Sequence, residues 1–441
     1  MKRLLSLLLC AVLALFCATT AQAAGVSITL TASEYALHYA FDAGAQDPFV
    51  ILEYATPAEK GWMMLYSEDG HFEGDVSIAY SGAGGKTSVA LTSARTTGSI
   101  GKTSTTLPKA ADYQKPTGKS NAKVTDFVLT ETPEGFHYAF NAAGTDYMLL
   151  YWRSKEQTVT QPVYPDENGH YEGDIISELT FARTQFTVQV KSGSGSMKKE
   201  ATVRKGYQAP EAPQRQEGRL SGVTVCIDAG HQENGRFVNE PIGPGLTGST
   251  SGKGGMAQGT KTNRRESIVC LEIGMLLRDE LLRQGANVIM TREDQTTFHT
   301  NIERCEIAEA GGAQIMLRLH CNNSSNRSKR GIQVYGPLNS DYAKAVADAD
   351  TYREMGQKLL DAMKTRVGMT LANSTGMVRL NDNYVGNNWA KMMCFLVEMG
   401  YLSNPAEEYL LVTPVYQQWL AEGMADGVYE IAVARGWVQA Q

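Results

Sequence analysis

The sequence predicts an α/β domain with a largely parallel, doubly wound sheet, preceded by two all-β sandwich repeats of immunoglobulin or fibronectin-III type. Three observations carry that expectation. The N-terminal part repeats itself at an offset of 99 residues, a Pro- and Gln-rich stretch follows the second copy, and from Gly222 onward short apolar runs alternate with helical patterns. Strands alternating with helices indicate a parallel sheet covered on both faces.

The repeat is read directly. His38-Tyr39-Ala40-Phe41 recurs as His137-Tyr138-Ala139-Phe140, and Gly70-His71-Phe72-Glu73-Gly74-Asp75 recurs as Gly169-His170-Tyr171-Glu172-Gly173-Asp174. Leu30-Thr31 and Leu129-Thr130 keep the same spacing. Within each copy, short period-two segments such as Val26–Thr31 and Phe186–Val190 are broken by turn signals such as Asp69-Gly70 and Asn168-Gly169. Many short strands in about 90 residues suggest a small sandwich. Residues 24–116 form the first repeat and 117–207 the second, and 208–221 read as a linker ahead of a domain over 222–441. The aromatics suit a sandwich core or a carbohydrate-binding surface, and His71 and His170 are candidate metal ligands or ordinary hairpin histidines.

Ahead of the repeats, Lys2-Arg3, the apolar run Leu4–Ala18 and Ala21-Gln22-Ala23 have the form of a secretory signal over residues 1–23, with maturation at Ala24. Cys17 ends the run as a lipoprotein signal would, but Phe16 stands where a small residue is usual. No later run is long enough to span a bilayer. Export to the cell wall, the periplasm or the medium is expected. With 41 Lys+Arg against 47 Asp+Glu the net charge is −6, which disfavours nucleic acid as a partner. The five cysteines beyond the signal, Cys226, Cys270, Cys305, Cys321 and Cys394, have no CxxC spacing and several lie in apolar runs. They read as buried thiols, with one disulfide open in an oxidising compartment.

In the α/β segment, strands are expected at Val223–Ile227, Val288–Met290, Ile315–Leu319, Ile332–Tyr335 and Cys394–Val397, and helices at Glu266–Gln284, Glu303–Ala310 and Ala343–Thr365. Sites in such sheets form beyond the carboxyl ends of the strands. Three of these ends carry chemistry: Ile227-Asp228-Ala229-Gly230-His231, Leu319-His320-Cys321-Asn322 and Phe395-Leu396-Val397-Glu398-Met399-Gly400. Two imidazoles and a carboxylate converging on one edge suit a hydrolytic zinc site with a coordination position left for water.

These blocks, extended by Tyr401-Leu402-Ser403-Asn404 and by the helix Glu266–Leu282 with Gly285–Arg292 after it, resemble the signature of zinc-dependent N-acetylmuramoyl-L-alanine amidases, the amidase-3 group of cell-wall hydrolases, over about residues 222–436. The repeats lie outside the resemblance. It implies Zn²⁺ as cofactor, peptidoglycan as substrate and partner, and hydrolysis of the lactyl–L-alanine amide. It further implies His231, Glu266 and His320 as metal ligands and Glu398 as catalytic base. Glu233 is a competing ligand, Glu272 lies on another face of the helix, and His299 reads as a loop histidine. Cys270 and Cys321 stand where polar or small residues are more usual, and either is inert or a stray metal ligand.

The Gly-rich segment Asn239–Thr262 is expected to wall the substrate groove. Arg292, Arg304 and Arg318 are candidates for binding stem-peptide carboxylates or for internal ion pairs. The alternatives are a carboxypeptidase or endopeptidase on the same chemistry, and a catalytically silent wall-binding protein on the same fold.

Overall fold

The computed structural model describes the chain apart from residues 1–18, 22–25, 34–35, 79–83, 110–122, 133–134, 144–147, 154–157, 164, 177–183, 192–195, 204–209, 233–237, 251–254, 263, 369–377 and 441. The apolar run of the expected signal and Glu233 therefore lie outside the described residues. The chain forms two compact units, Met1–Lys205 and Gly206–Gln441.

The first unit is all β. Its first half contains β1 (Thr19–Ala21), β2 (Ile28–Ala32), β3 (Ala36–Asp42), β4 (Phe49–Ala55), β5 (Glu59–Tyr66), β6 (His71–Ser77), β7 (Gly85–Ser93) and β8 (Ser99–Leu107). The second half contains β9 (Thr125–Thr132), β10 (Gly135–Asn141), β11 (Met148–Arg153), β12 (Thr158–Val163), β13 (His170–Ile176), β14 (Thr184–Lys191) and β15 (Ser196–Val203). One sheet of each half is β2-β3-β6 or β9-β10-β13, with β1 added beside β2 in the first. Maturation at Ala24 would remove β1 and leave β2 as the edge.

Apolar alternation fixes the faces. Leu37, Tyr39 and Phe41 of β3 point into a core with Val50 and Leu52 of β4 and Val89 and Leu91 of β7. The second half repeats this with Phe136, Tyr138 and Phe140 against Leu150, Trp152 and Val188. The aromatics are thus sandwich core, and the duplication extends to ring geometry: Phe41 stacks on Phe72 and Phe140 on Tyr171, with centroids 4.9 and 4.6 Å apart.

The remaining strands of the two halves do not make separate sheets. They join into one eight-stranded sheet, β15-β14-β11-β12-β5-β4-β7-β8, through an antiparallel β5–β12 contact. Glu59 pairs with Val159 and Lys60 with Thr158. Since 59 and 158, and 60 and 159, are equivalent under the 99-residue offset, each strand meets its own counterpart. The contact is isologous, like a two-fold dimer interface, but within one chain.

The second unit is built on six strands in the order β17-β16-β18-β21-β19-β20. These are β16 (Thr224–Ala229), β17 (Asn287–Met290), β18 (Ile315–Asn322), β19 (Gln333–Gly336), β20 (Val378–Leu380) and β21 (Met393–Tyr401). The sheet is mixed. Four of its junctions are parallel, whereas β19 runs antiparallel to β21. Between strands come α1 (Glu266–Arg283), α2 (Asn301–Ala310), α3 (Asp341–Val346), α4 (Ala349–Val367) and α5 (Val385–Trp389). The chain closes with α6 (Glu407–Leu410) and α7 (Pro414–Ala434).

The single helix expected over Ala343–Thr365 is two. Ala347 is extended, and the Asp348 side chain accepts from Thr351 N–H to start α4 afresh. Asp caps compete with helix continuation because the carboxylate satisfies an orphan N–H. Among the described residues no helix is long and apolar enough to cross a membrane.

Candidate metal centre

From β16 the chain goes through α1 to β17 on one side and then through α2 to β18 on the other. The strand order therefore reverses between β16 and β18, and a crevice opens at such a switch point. His231 follows β16, and His320 sits near the end of β18. Glu398 of β21 is in register with His320. Glu266 enters from the first turn of α1, where the helix dipole favours a carboxylate.

These positions converge. Glu266 Oε1 lies 3.1 Å from His231 Nε2 and 3.0 Å from His320 Nδ1. The two rings stand edge to face with centroids 4.9 Å apart. One ligand atom from each of the three residues falls within 4.8 Å of the others, which suits a single ion. His320 Nε2 and Glu398 Oε2 are buried and have no hydrogen-bond partner among the described residues. Buried polar atoms without partners are costly and call for a ligand. The set of two imidazoles and one carboxylate, with an orphaned nitrogen in it, fits zinc.

The surroundings orient this set. Glu266 Oε2 accepts from Ala257 N–H at 2.7 Å, and Oε1 accepts from Cys321 N–H at 3.0 Å. Burial would raise the Glu266 pKa, but hydrogen bonds and charge from His231 and His320 outweigh it and hold the group ionised. Glu398 is shifted the other way, well above the ordinary carboxylate range, first by burial and then by the charge on Glu266. Two carboxylates with opposed environments mark separate roles.

Gly230 explains itself. It donates to Leu319 O at 2.9 Å, and a Cβ there would lie 2.4 Å from that oxygen and 2.6 Å from His320 Cε1. His231 then takes φ +57°, a left-handed conformation uncommon for any residue but glycine. The three carbonyls around this turn are gripped by arginines. Arg292 donates to Ala229 O at 2.7 Å and Gly230 O at 2.9 Å. Arg304 donates to Ala229 O at 2.9 Å and His231 O at 3.3 Å.

Beneath lies Asp228, fully buried, ion-paired to Arg304 and Arg318 and accepting from Thr291 Oγ1 at 2.8 Å. Arg292, Arg304 and Arg318 are each at most 4% exposed. Their donors serve internal partners: Arg304 and Arg318 are ion-paired with Asp228, and Arg292 donates to the backbone carbonyls of Ala229, Gly230, Ser267 and Asp294. Asp228 was not singled out in the sequence, although an ionisable residue inside an apolar strand was the available signal.

Of the other candidates, Glu272 pairs with Arg264 and Gln417 away from the cluster. His299 stays outside the cluster and accepts from Arg304 through its backbone oxygen. All five cysteines are free and buried, with Cys270 and Cys321 hydrogen-bonded to each other beside Glu266. The Gly-rich segment is anchored at both ends. Glu240 accepts from Ile302 N–H and Asn301 Nδ2 at the start of α2, and Glu408 accepts from Lys261 N–H, Thr262 N–H and Thr260 Oγ1.

Residues 225–430 match the family described as N-acetylmuramoyl-L-alanine amidase. The chain is 26% identical over 231 residues to the germination-specific N-acetylmuramoyl-L-alanine amidase of Bacillus subtilis, covering 49% of this chain and 83% of that protein. It is 27% identical over 218 residues to the probable cell wall amidase LytH of Staphylococcus aureus, covering 48% of this chain and 60% of that protein. Among solved structures, the N-acetylmuramoyl-L-alanine amidase of Clostridium difficile 630 aligns with a TM-score of 0.38 at 24% identity, covering 48% of this chain and 96% of that one. With its His, His and Glu donors gathered at the sheet's switch point, the second unit matches, over residues 225–430, the family described as N-acetylmuramoyl-L-alanine amidase.

Proposed function

We propose that the chain hydrolyses the amide between the lactyl group of N-acetylmuramic acid and the L-alanine of the peptidoglycan stem. The observation that carries this is the convergence of His231, Glu266 and His320 within one ion's reach, with Glu398 in register beside His320. In this reading the first three residues hold zinc and Glu398 is the catalytic base. When bound, zinc supplies a Lewis acid for the scissile carbonyl and acidifies the attacking water.

Glu398 takes the water proton on Oε2, the oxygen without a protein partner, and returns it to the departing amine. Its burial raises proton affinity, which suits a group that must both accept and release a proton near neutrality. Glu266 keeps its charge and fixes both imidazoles. Arg292 and Arg304 fix the His231 turn. The Gly-rich segment, tied down by Glu240 and Glu408, walls the groove.

The chain is exported by its N-terminal signal. Repeats 24–116 and 117–207, immunoglobulin- or fibronectin-III-like, act as wall-binding or spacing modules joined by linker 208–221 to the enzyme over 222–441. The test is mass spectrometry of muropeptides or sacculi incubated with residues 24–441, with zinc and with chelator. Zinc-dependent release of free stem peptide with a new L-alanine amino end is expected. Cleavage elsewhere in the stem would make the enzyme a carboxypeptidase or endopeptidase. No cleavage by folded, zinc-loaded protein would favour a silent wall-binding role.

A further inference from the structure

Glu398 stands in the middle of a row that crosses the sheet. On β18 it has His320 directly opposite, and on β19 it has Gln333. Residues paired across adjacent strands project to the same face, so an imidazole, a carboxylate and a carboxamide stand side by side, one strand spacing of about 4.8 Å apart. Val334, on the other face, is fully buried, whereas Gln333 is half-buried.

The amide of Gln333 is held in one orientation. The backbone N–H of Asn323 donates to Asn322 Oδ1 at 2.8 Å, so Asn322 turns Nδ2 toward Gln333, and the atom that accepts from it at 3.2 Å is Oε1. The Tyr335 hydroxyl donates to the same oxygen at 2.6 Å. Tyr335 is itself packed edge to face on Tyr384, with ring centroids 5.2 Å apart.

Both lone pairs of Oε1 are therefore taken. The two hydrogens on Nε2 meet no acceptor among the described residues, and Glu398 Oε2, next in the row, has no partner either. A side chain locked by two internal bonds that leaves its donors open is preorganised for an acceptor from outside.

The row also sets a direction. In the amidase reading the scissile carbonyl lies at the His320 end, and Glu398 serves the nitrogen of L-alanine. The next polar group on the peptide side is the carbonyl of that same L-alanine, three bonds further on at about 1.2–1.5 Å each. One strand further, the row presents Nε2 of Gln333.

We propose that Gln333 donates through Nε2 to the L-alanine carbonyl, so that the stem peptide runs from β18 over β21 and β19 toward the β20 edge. This rests on the amidase reading of the site. Gln333 then fixes the register of the substrate on Glu398 and makes the enzyme require a peptide carbonyl beyond the bond it cuts.

The test is kcat/KM of zinc-loaded residues 24–441 on two muramoyl substrates. One carries an L-alanyl peptide, and in the other the L-alanine carbonyl is replaced by a methylene. Wild type is expected to prefer the first by about 10–100-fold, the effect of leaving a fixed donor without its acceptor. Gln333→Met is expected to lose about that factor on the peptide substrate and to treat the two alike, within about threefold. Gln333→Glu, which keeps an acceptor for Asn322 and Tyr335 but has no donor, is expected to lose the same preference. A merely structural role would slow both substrates equally and leave the preference intact. A variant that keeps the wild-type preference, or wild type that cleaves both substrates alike, overturns the proposal. Wild type whose products show no cut at the lactyl amide overturns the amidase reading with it.

Discussion

Nε of Arg318 donates to Oδ2 of Asp228 at 2.9 Å, from a guanidinium that is 4% exposed to a carboxylate with no exposure. Arg304 closes on the other carboxylate oxygen, and the same Arg304 holds the carbonyls of Ala229 and His231. The ion cluster under the sheet edge and the turn that presents the first imidazole are therefore one piece. Removing one partner of a buried ion pair leaves the other charge uncompensated, at about 3–5 kcal/mol. Asp228→Asn is expected to lose stability of that order and to bind zinc more weakly. Urea unfolding and zinc titration of the same preparation check this, and an unchanged midpoint would detach Asp228 from the fold's support.

Gly230 approaches the neighbouring strand too closely for any side chain. In Gly230→Ala the new methyl would meet Leu319 O and the ring of His320, and overpacking of this kind costs about 1–3 kcal/mol. Zinc affinity and turnover are expected to fall together, because the displaced ring is one of the three donors. Normal zinc affinity in a folded variant would show that the edge can spread without penalty.

Glu398 is proposed to move a proton without holding the metal. Glu398→Gln keeps the shape and removes the proton acceptor, so turnover should drop by about 10²–10⁴-fold while zinc content stays at the wild-type level. Single-turnover rates with metal analysis decide it. Retained turnover would remove Glu398 from the reaction.

Glu407 offers a pH signature away from the reaction. Burial raises its pKa from 4.5 to about 7, against hydrogen bonds from Tyr401 and Gly331 N–H and the charge of Arg330 that lower it. Below pH 4.5 it is protonated both folded and unfolded, and nothing is lost. As pH rises to 7 the unfolded chain ionises first, so stability falls. The fall is complete above 7, and at about 1.4 kcal/mol per unit it amounts to about 3 kcal/mol. Glu407→Gln cannot ionise. Measured by urea unfolding in chelator, wild-type stability relative to this variant should decline between pH 4.5 and 7.5, and a flat difference would contradict the shift.

The catalytic unit was largely legible because apolar runs mark buried strands and His231, His320 and Glu398 end three of them. Their meeting depends on strand order, which no run encodes. The antiparallel β19 and the break at Ala347 were not foreseen for the same reason: both depend on tertiary pairing or on one cap. For the three arginines the sequence leaves stem-peptide binding and internal ion pairs both open, because nothing local announces burial. Asp228, the partner of Arg304 and Arg318, stands in view within Val-Cys-Ile-Asp-Ala. In the first unit, the repeat was plain from identity, but the β5–β12 junction was not, since edge pairing leaves no mark in the pattern of either strand.

That junction has a consequence for how the two halves change over time. A homodimer carries each substitution twice, so both sides of its axis stay alike. Here one polypeptide carries both sides, and a mutation reaches only one of them. Asp42 beside His71 and Asn141 beside His170 occupy matching places and already differ by a full charge. Carried on one polypeptide, the pair is under no enforced symmetry, so one half can change while the other stays as it is.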